Sequence, residues 1–191
     1  TSSPIYFIPA LKDGGAIVIQ NAVGNYGSMT NNKVRNCILS NCTSNQGAAI
    51  FVQSSRPEVK ISLDVENCII HNNTATTTTT PAAVWVESES GKGGNVTVNF
   101  NHCDFLKNVG YGLYVKGGNA TVKLDNSVVW ANASAAMDRS ENLAEAANAG
   151  KVRTWKTENG GNLSGSYNFF DTGTSITGFT NSQSTLTYVE D

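Results

Sequence analysis

The chain has 191 residues, of which 39% are hydrophobic, 8% aromatic and only 15% charged, against about 25% charged in an average soluble chain. Its 13 basic and 15 acidic residues leave a net charge of −2, which removes the electrostatic case for nucleic acid or an anionic membrane as partner. No apolar run approaches the roughly 18–20 residues of a membrane-spanning helix, so the chain is read as not membrane-embedded.

It opens strand-like at Ile5-Tyr6-Phe7-Ile8 with no signal-peptide pattern before it, and reads as a mature form or a piece of something longer. From residue 14 two units alternate. The first is small-small-aliphatic-x-aliphatic: Gly15-Ala16-Ile17-Val18-Ile19, Ala48-Ala49-Ile50-Phe51-Val52, Ala82-Ala83-Val84-Trp85-Val86 and Tyr111-Gly112-Leu113-Tyr114-Val115. The second follows each copy of the first: Val34-Arg35-Asn36-Cys37-Ile38-Leu39, Val65-Glu66-Asn67-Cys68-Ile69-Ile70, Phe100-Asn101-His102-Cys103-Asp104-Phe105 and Leu124-Asp125-Asn126-Ser127-Val128-Val129. The copies recur every 24 to 35 residues. A period of that length built from short strands is the mark of a solenoid.

The geometry predicted is an all-β, single-stranded right-handed parallel β-helix of about five to six short coils. Equivalent residues then stack about 4.8 Å apart. One interior column is Ile17, Ile50, Val84 and Leu113, and the next is Ile19, Val52, Val86 and Val115. A third holds Cys37, Cys68, Cys103 and Ser127, beside Leu39, Ile70, Phe105 and Val129. Asn36, Asn67 and Asn126 recur where one strand must bend into the next, with His102 breaking the row; Asn tolerates the left-handed backbone such a bend needs. A second polar row is Asn73, Asn108 and Asn132, with Cys42 as its exception. Lys33 and Arg35 fall opposite Asp64 and Glu66, which reinforces the register.

Gly14-Gly15-Ala16-Ile17 and Phe105-Leu106-Lys107-Asn108 resemble the GGAI and FxxN repeats of polymorphic outer-membrane proteins. More broadly, the pattern over residues 14–138 is similar to the pectate-lyase-like superfamily of right-handed β-helix proteins, many of them secreted by bacteria. The resemblance implies a secreted or cell-surface protein that acts on polysaccharide or is anchored near a surface. A fold of this kind hosts many functions.

Outside the repeats, residues 74–81 read as a protruding loop and residues 88–95 as a Gly-rich one. Residues 140–149 change composition: Ser140 can cap a short lateral helix and Gly150 can end it. Strand character returns at Val152–Lys156 and at Tyr167–Phe170, an irregular last coil, and residues 175–189 suit an end cap. The whole is read as one domain.

Alternation along the first-unit strands turns one set of side chains outward: Ala16, Ala49, Ala83 and Gly112; then Val18, Phe51, Trp85 and Tyr114; then Gln20, Gln53, Glu87 and Lys116. Phe51, Trp85 and Tyr114, flanked by Gln53, Glu87 and Lys116, have the make-up of a glycan-binding platform, since sugar C–H faces pack on rings while hydroxyls need polar partners. Two readings stay open: the row contacts a ligand, or loops such as 74–81 cover it. Glycoside hydrolysis needs two carboxylates about 5 to 9.5 Å apart, and on this face only Glu87 is found. A lyase needs a base, and Lys116 beside Glu87 is the single candidate pair, which reads equally as a surface ion pair.

No metal motif, phosphate loop or nucleophile elbow is read, and no cofactor is called for. The cysteines read as free thiols in the core. Six Asn-x-Ser/Thr triplets begin at Asn41, Asn72, Asn95, Asn119, Asn132 and Asn162, as a chain rich in Asn and Thr produces by composition. The functional expectation is non-catalytic binding of a polysaccharide or cell-surface ligand. Its rivals are a polysaccharide lyase or hydrolase using Glu87 and Lys116, and a structural stalk.

Overall fold

The computed structural model describes residues 14–21, 27–77, 79–133, 153–171 and 176–184. Within them the chain is all-β, with 16 strands that follow the repeats and no helix. The first repeat supplies β1 (Ile17–Gln20), β2 (Met29–Arg35), β3 (Ile38–Ser40) and β4 (Thr43–Ser44). The second supplies β5 (Ile50–Ser54), β6 (Ile61–His71) and β7 (Thr74–Ala75), and the third β8 (Ala82–Ser88) and β9 (Val96–Leu106). The fourth holds β10 (Tyr111–Lys116), β11 (Ala120–Asp125) and β12 (Val128–Trp130). After it come β13 (Trp155–Glu158), β14 (Asn162–Ser166), β15 (Phe169–Phe170) and β16 (Phe179–Thr180).

Every pairing is parallel and joins equivalent positions of successive repeats. One sheet runs β1-β5-β8-β10-β13, with Ile17 on Ile50, Ile50 on Val84 and Leu113 on Val84. A larger sheet collects the second units, with Val65 on Phe100, Cys68 on Cys103 and Val129 on Phe105. The inward columns form one hydrophobic core in which Ile50, Val52, Ile61, Val65, Ile70, Phe100, Phe105, Leu113 and Leu124 are buried. Each such side chain contributes roughly 1.5–3 kcal/mol of burial free energy.

Bends recur because one residue per repeat takes the left-handed backbone. Asn36, Asn67, His102, Asn126, Tyr167 and Asn181 all lie at φ of 50° to 58°. The residue after each one then turns inward. Cys37 and Cys68 Sγ each face the carbonyl two residues back, at 3.1 and 3.2 Å, and Ser127 Oγ donates likewise at 2.6 Å. This role suits a small side chain with one weak donor, which is why Cys and Ser share the column. All four cysteines are free thiols, and burial pushes the Cys103 thiol up to about 11.

The second polar row is an internal ladder. Asn73 Nδ2 donates to Asn108 Oδ1 at 3.0 Å, and Asn108 Nδ2 to Asn132 Oδ1 at 2.8 Å. The same amides donate to the carbonyls of Leu39, Ile70 and Phe105, so no buried amide of the row is left unpaired. Cys42 keeps its place beside the ladder through its backbone N–H, which donates to Asn73 Oδ1 at 3.0 Å.

Three expectations change. Residues 74–81 are only in part a loop: Thr74–Ala75 pairs with Thr43–Ser44, and Thr80 is buried. The last repeat is more regular than read, with Leu113 on Trp155 and Thr121 on Asn162. The described part of the 175–189 segment adds β16 to β14 as a further parallel strand. Residues 140–149, where a lateral helix is expected, lie outside the described residues. No helix among the described residues is long and apolar enough to cross a membrane.

Candidate functional site

The β1-β5-β8-β10-β13 sheet brings the sequence-predicted site residues into register. Phe51 pairs with Trp85 and Trp85 with Tyr114; Gln53 pairs with Glu87 and Glu87 with Lys116. Of the small-residue row only Ala16 is exposed; the other three do not face outward as read. Ala49 and Ala83 lie in the main core, and a Cβ on Gly112 would sit 2.9 Å from Val129 Cγ1. The strands enter the sheet through a bend, so alternation begins one position later than a straight strand would place it.

The aromatic row is covered. Phe51, Trp85 and Tyr114 are 1%, 4% and 2% exposed and form a second buried cluster with Ala82, against which Val18 and Tyr111 pack. Trp85 and Tyr114 meet edge to face at 4.3 Å. As placed, these rings offer no face to a ligand. The end of the 74–81 stretch meets the Tyr114 end of the row: Lys156 Nζ donates to Thr80 Oγ1 at 3.5 Å beside the Tyr114 ring. Burial, then a hydrogen bond to Glu158, raises the Tyr114 hydroxyl well above its ordinary value.

Beside the rings runs a polar ridge. Glu87 is buried, and its Oε2 accepts from Gln53 Nε2 and Trp85 Nε1, each at 3.0 Å. Its Oε1 pairs with Lys116 Nζ at 2.9 Å. Gln20 donates to Gln53 at one end of the ridge. At the other, Lys116 stands opposite Glu158, and Lys156 pairs with Glu158 at 3.1 Å. Hydrogen bonds from Lys156 and then Tyr114 hold the Glu158 carboxyl below the usual range.

No protein-family model, curated protein or solved structure matches the chain. The site therefore rests on its own geometry.

Glu158 and Lys156 were missed in the sequence. The tetrad Trp155-Lys156-Thr157-Glu158 stacks on Leu113-Tyr114-Val115-Lys116, but a Trp and a Thr replace the aliphatics and a long insertion precedes it. A template that allows any large apolar residue at the first core position would have found it. Glu158 gives the face the second carboxylate that the reading lacked, with Lys116 between it and Glu87 in register. Among the described residues, no three His, Cys, Asp or Glu side chains gather as a metal site.

The larger sheet presents a different outer face. Ile38, Ile69, Asp104, Val128 and Phe169 form one outward column. Ile38 is 66% exposed, and Tyr167, at the adjoining bend, is 63% exposed. Beside this column run Ser40, His71, Leu106 and Trp130, and the Trp130 ring stacks on Phe169 at 5.3 Å.

Proposed function

We propose that the chain is a right-handed parallel β-helix working outside the cell as a non-catalytic binding scaffold, and that its polar ridge receives a glycan or another surface ligand. The parallel, in-register stacking of successive repeats supports the architecture, since parallel neighbours need a long crossover and the rest of each repeat provides it. One observation carries the choice of binding over turnover. Both oxygens of Glu87 are engaged by three donors, Gln53, Trp85 and Lys116. A general acid or base must exchange a proton with a substrate within hydrogen-bond reach; Glu87 is buried with each oxygen already accepting, and Lys116 is tied to it.

What the ridge offers instead is a line of ordered amide, ammonium and carboxylate groups. Gln53, Lys116, Lys156 and Glu158 are half-buried, and their geometry is set by one another. Sugar hydroxyls are recognised by such fixed donors and acceptors. The aromatic contribution proposed for Phe51, Trp85 and Tyr114 becomes a rigid floor beneath the polar groups.

A glycan array, followed by titration of tryptophan emission in a Trp130→Phe background, tests the reading. Lys116 Nζ lies 6.0 Å from the Trp85 ring, so a ligand on the ridge perturbs that emission. Saturable binding weakened about tenfold or more by Lys156→Ala supports it. Silence across neutral and acidic glycans, or binding indifferent to both Lys156→Ala and Lys116→Ala, removes it. Release of unsaturated or reducing sugar products by the wild type would favour the lyase or hydrolase alternative.

A further inference from the structure

Asp104 sits in the middle of the apolar column of the larger sheet. Its chain neighbours Cys103 and Phe105 are buried, so its side chain points outward between Ile69 on one repeat and Val128 on the next. Among the described residues it has no hydrogen-bond or ion-pair partner. Other carboxylates that are not fully exposed do have one: Asp64 takes Asn99, Glu66 takes Arg35, Asp125 takes Lys123, and Asp171 takes the Ala131 N–H. Lys107 stands exposed at the next bend of the same repeat and does not pair with it. Burial against the apolar neighbours holds the Asp104 carboxyl above its ordinary range.

An unpaired carboxylate among aliphatics works against local stability, and positions that break a local rule without compensation are where function is expected. The column around it is apolar on both sides for five repeats, a span of roughly 19 Å at the spacing of parallel strands. That length matches about six residues of extended chain. The exposed aliphatics Ile38 and Ile69 suit apolar side chains and would strip water from sugar hydroxyls without replacing their hydrogen bonds. A lone negative charge at the centre likewise disfavours an anionic lipid surface.

We propose that this face docks an extended protein segment that presents a lysine or arginine between apolar side chains. The cation pairs with Asp104, and the apolar side chains two positions to either side of it pack on Ile38 and Ile69 and on Val128, Trp130 and Phe169. This surface is independent of the polar ridge. Charge complementarity at one central point, with apolar contact around it, fixes the register of the segment along the column.

The experiment uses the intact chain and three short synthetic peptides with the centre apolar-Ser-Lys-Ser-apolar, or with Glu or norleucine in place of the lysine, so that the apolar side chains share its face; binding is followed by anisotropy. The lysine peptide is expected to bind at least about tenfold more tightly than the glutamate peptide. Asp104→Asn should bring the two together, and Asp104→Lys should invert the order. Asp104→Val should abolish the preference while raising Tm by about 2–4 °C, because it extends the aliphatic column and removes the unpaired charge. The proposal is overturned if the wild type binds none of the peptides or does not prefer lysine. It is equally overturned if the preference survives Asp104→Val, or if sedimentation shows that the face is taken by a second copy of the chain.

Discussion

The two outer faces of this protein are built from the same kind of strand in the same parallel register, yet they treat their large side chains in opposite ways. On the smaller sheet, Phe51, Trp85 and Tyr114 point away from the main core and are nonetheless buried, sealed into a second cluster. On the larger sheet, Ile38 and Ile69 point away from the core and remain exposed, with Trp130 and Phe169 half-covered beside them. Outward orientation follows from strand alternation; accessibility follows from what the connecting segments place on top. The covered face spends its aromatics on stability and shows solvent a polar ridge. The open face leaves apolar side chains in reach of solvent, and it is the face proposed above to dock an extended segment.

Removing one ring from each face is the most direct way to break this contrast. Trp85→Ala should cost about 3–5 kcal/mol in urea unfolding, because the ring is buried and its Nε1 holds Glu87. A loss below about 1.5 kcal/mol would mean that the covering segment is not closed over the row in solution.

Asp171 tests the open side. It follows Phe170 as Trp130 follows Val129, but it is buried and accepts from Ala131 N–H at 2.7 Å. Burial pushes its carboxyl up to about 6 from an ordinary 3.8. The folded state therefore binds this proton more tightly than the unfolded state, and its contribution to stability falls as pH rises from about 4 through 6. Asp171→Asn should thus stabilise the protein at pH 8 by up to about 3 kcal/mol and change little at pH 4. An equal effect at both pH values would show that the group titrates normally.

On the polar ridge, Glu87→Gln should cost about 1.5–3 kcal/mol, since it removes the charge that Lys116, Gln53 and Trp85 share. Circular dichroism melts at low and high salt check this, and the loss should persist in high salt because Glu87 is buried. Trp130→Ala should cost only about 0.5–1.5 kcal/mol, the scale of its stack on Phe169. Smallest of all, Ile38→Ser should change stability by no more than about 0.5 kcal/mol, and dye binding to exposed apolar surface should fall with it. A larger loss from either variant would mean that the open face is packed in solution.

Much of the architecture was legible because its cause is local and repeated. The columns headed by Ile17, Ile19 and Cys37, the bends at Asn36, Asn67 and Asn126, and the Asn73-Asn108-Asn132 row all stand in the predicted register. Parallel stacking puts equal positions side by side, so a repeated residue type is itself the record of a contact. Legibility failed where repetition failed. Thr74–Ala75 looked like low-complexity loop because its pairing depends only on backbone groups. Lys156 and Glu158 were missed because Trp155 and Thr157 carry the register without the aliphatic pattern.

By itself, then, the sequence determined which residues stack on which, because burial with period two along a strand and a fixed repeat between strands leave one consistent register. It also brought Gln53, Glu87 and Lys116 into one row. Only the tertiary structure decided which outward side chains meet water. That depends on segments such as the one ending at Thr80, which meets the Tyr114 end of the row through contacts far apart in the chain, among them Lys156 with Thr80. A pattern within a strand carries no information about such a cover, and so the same alternation produced a sealed aromatic floor on one sheet and an open apolar column on the other.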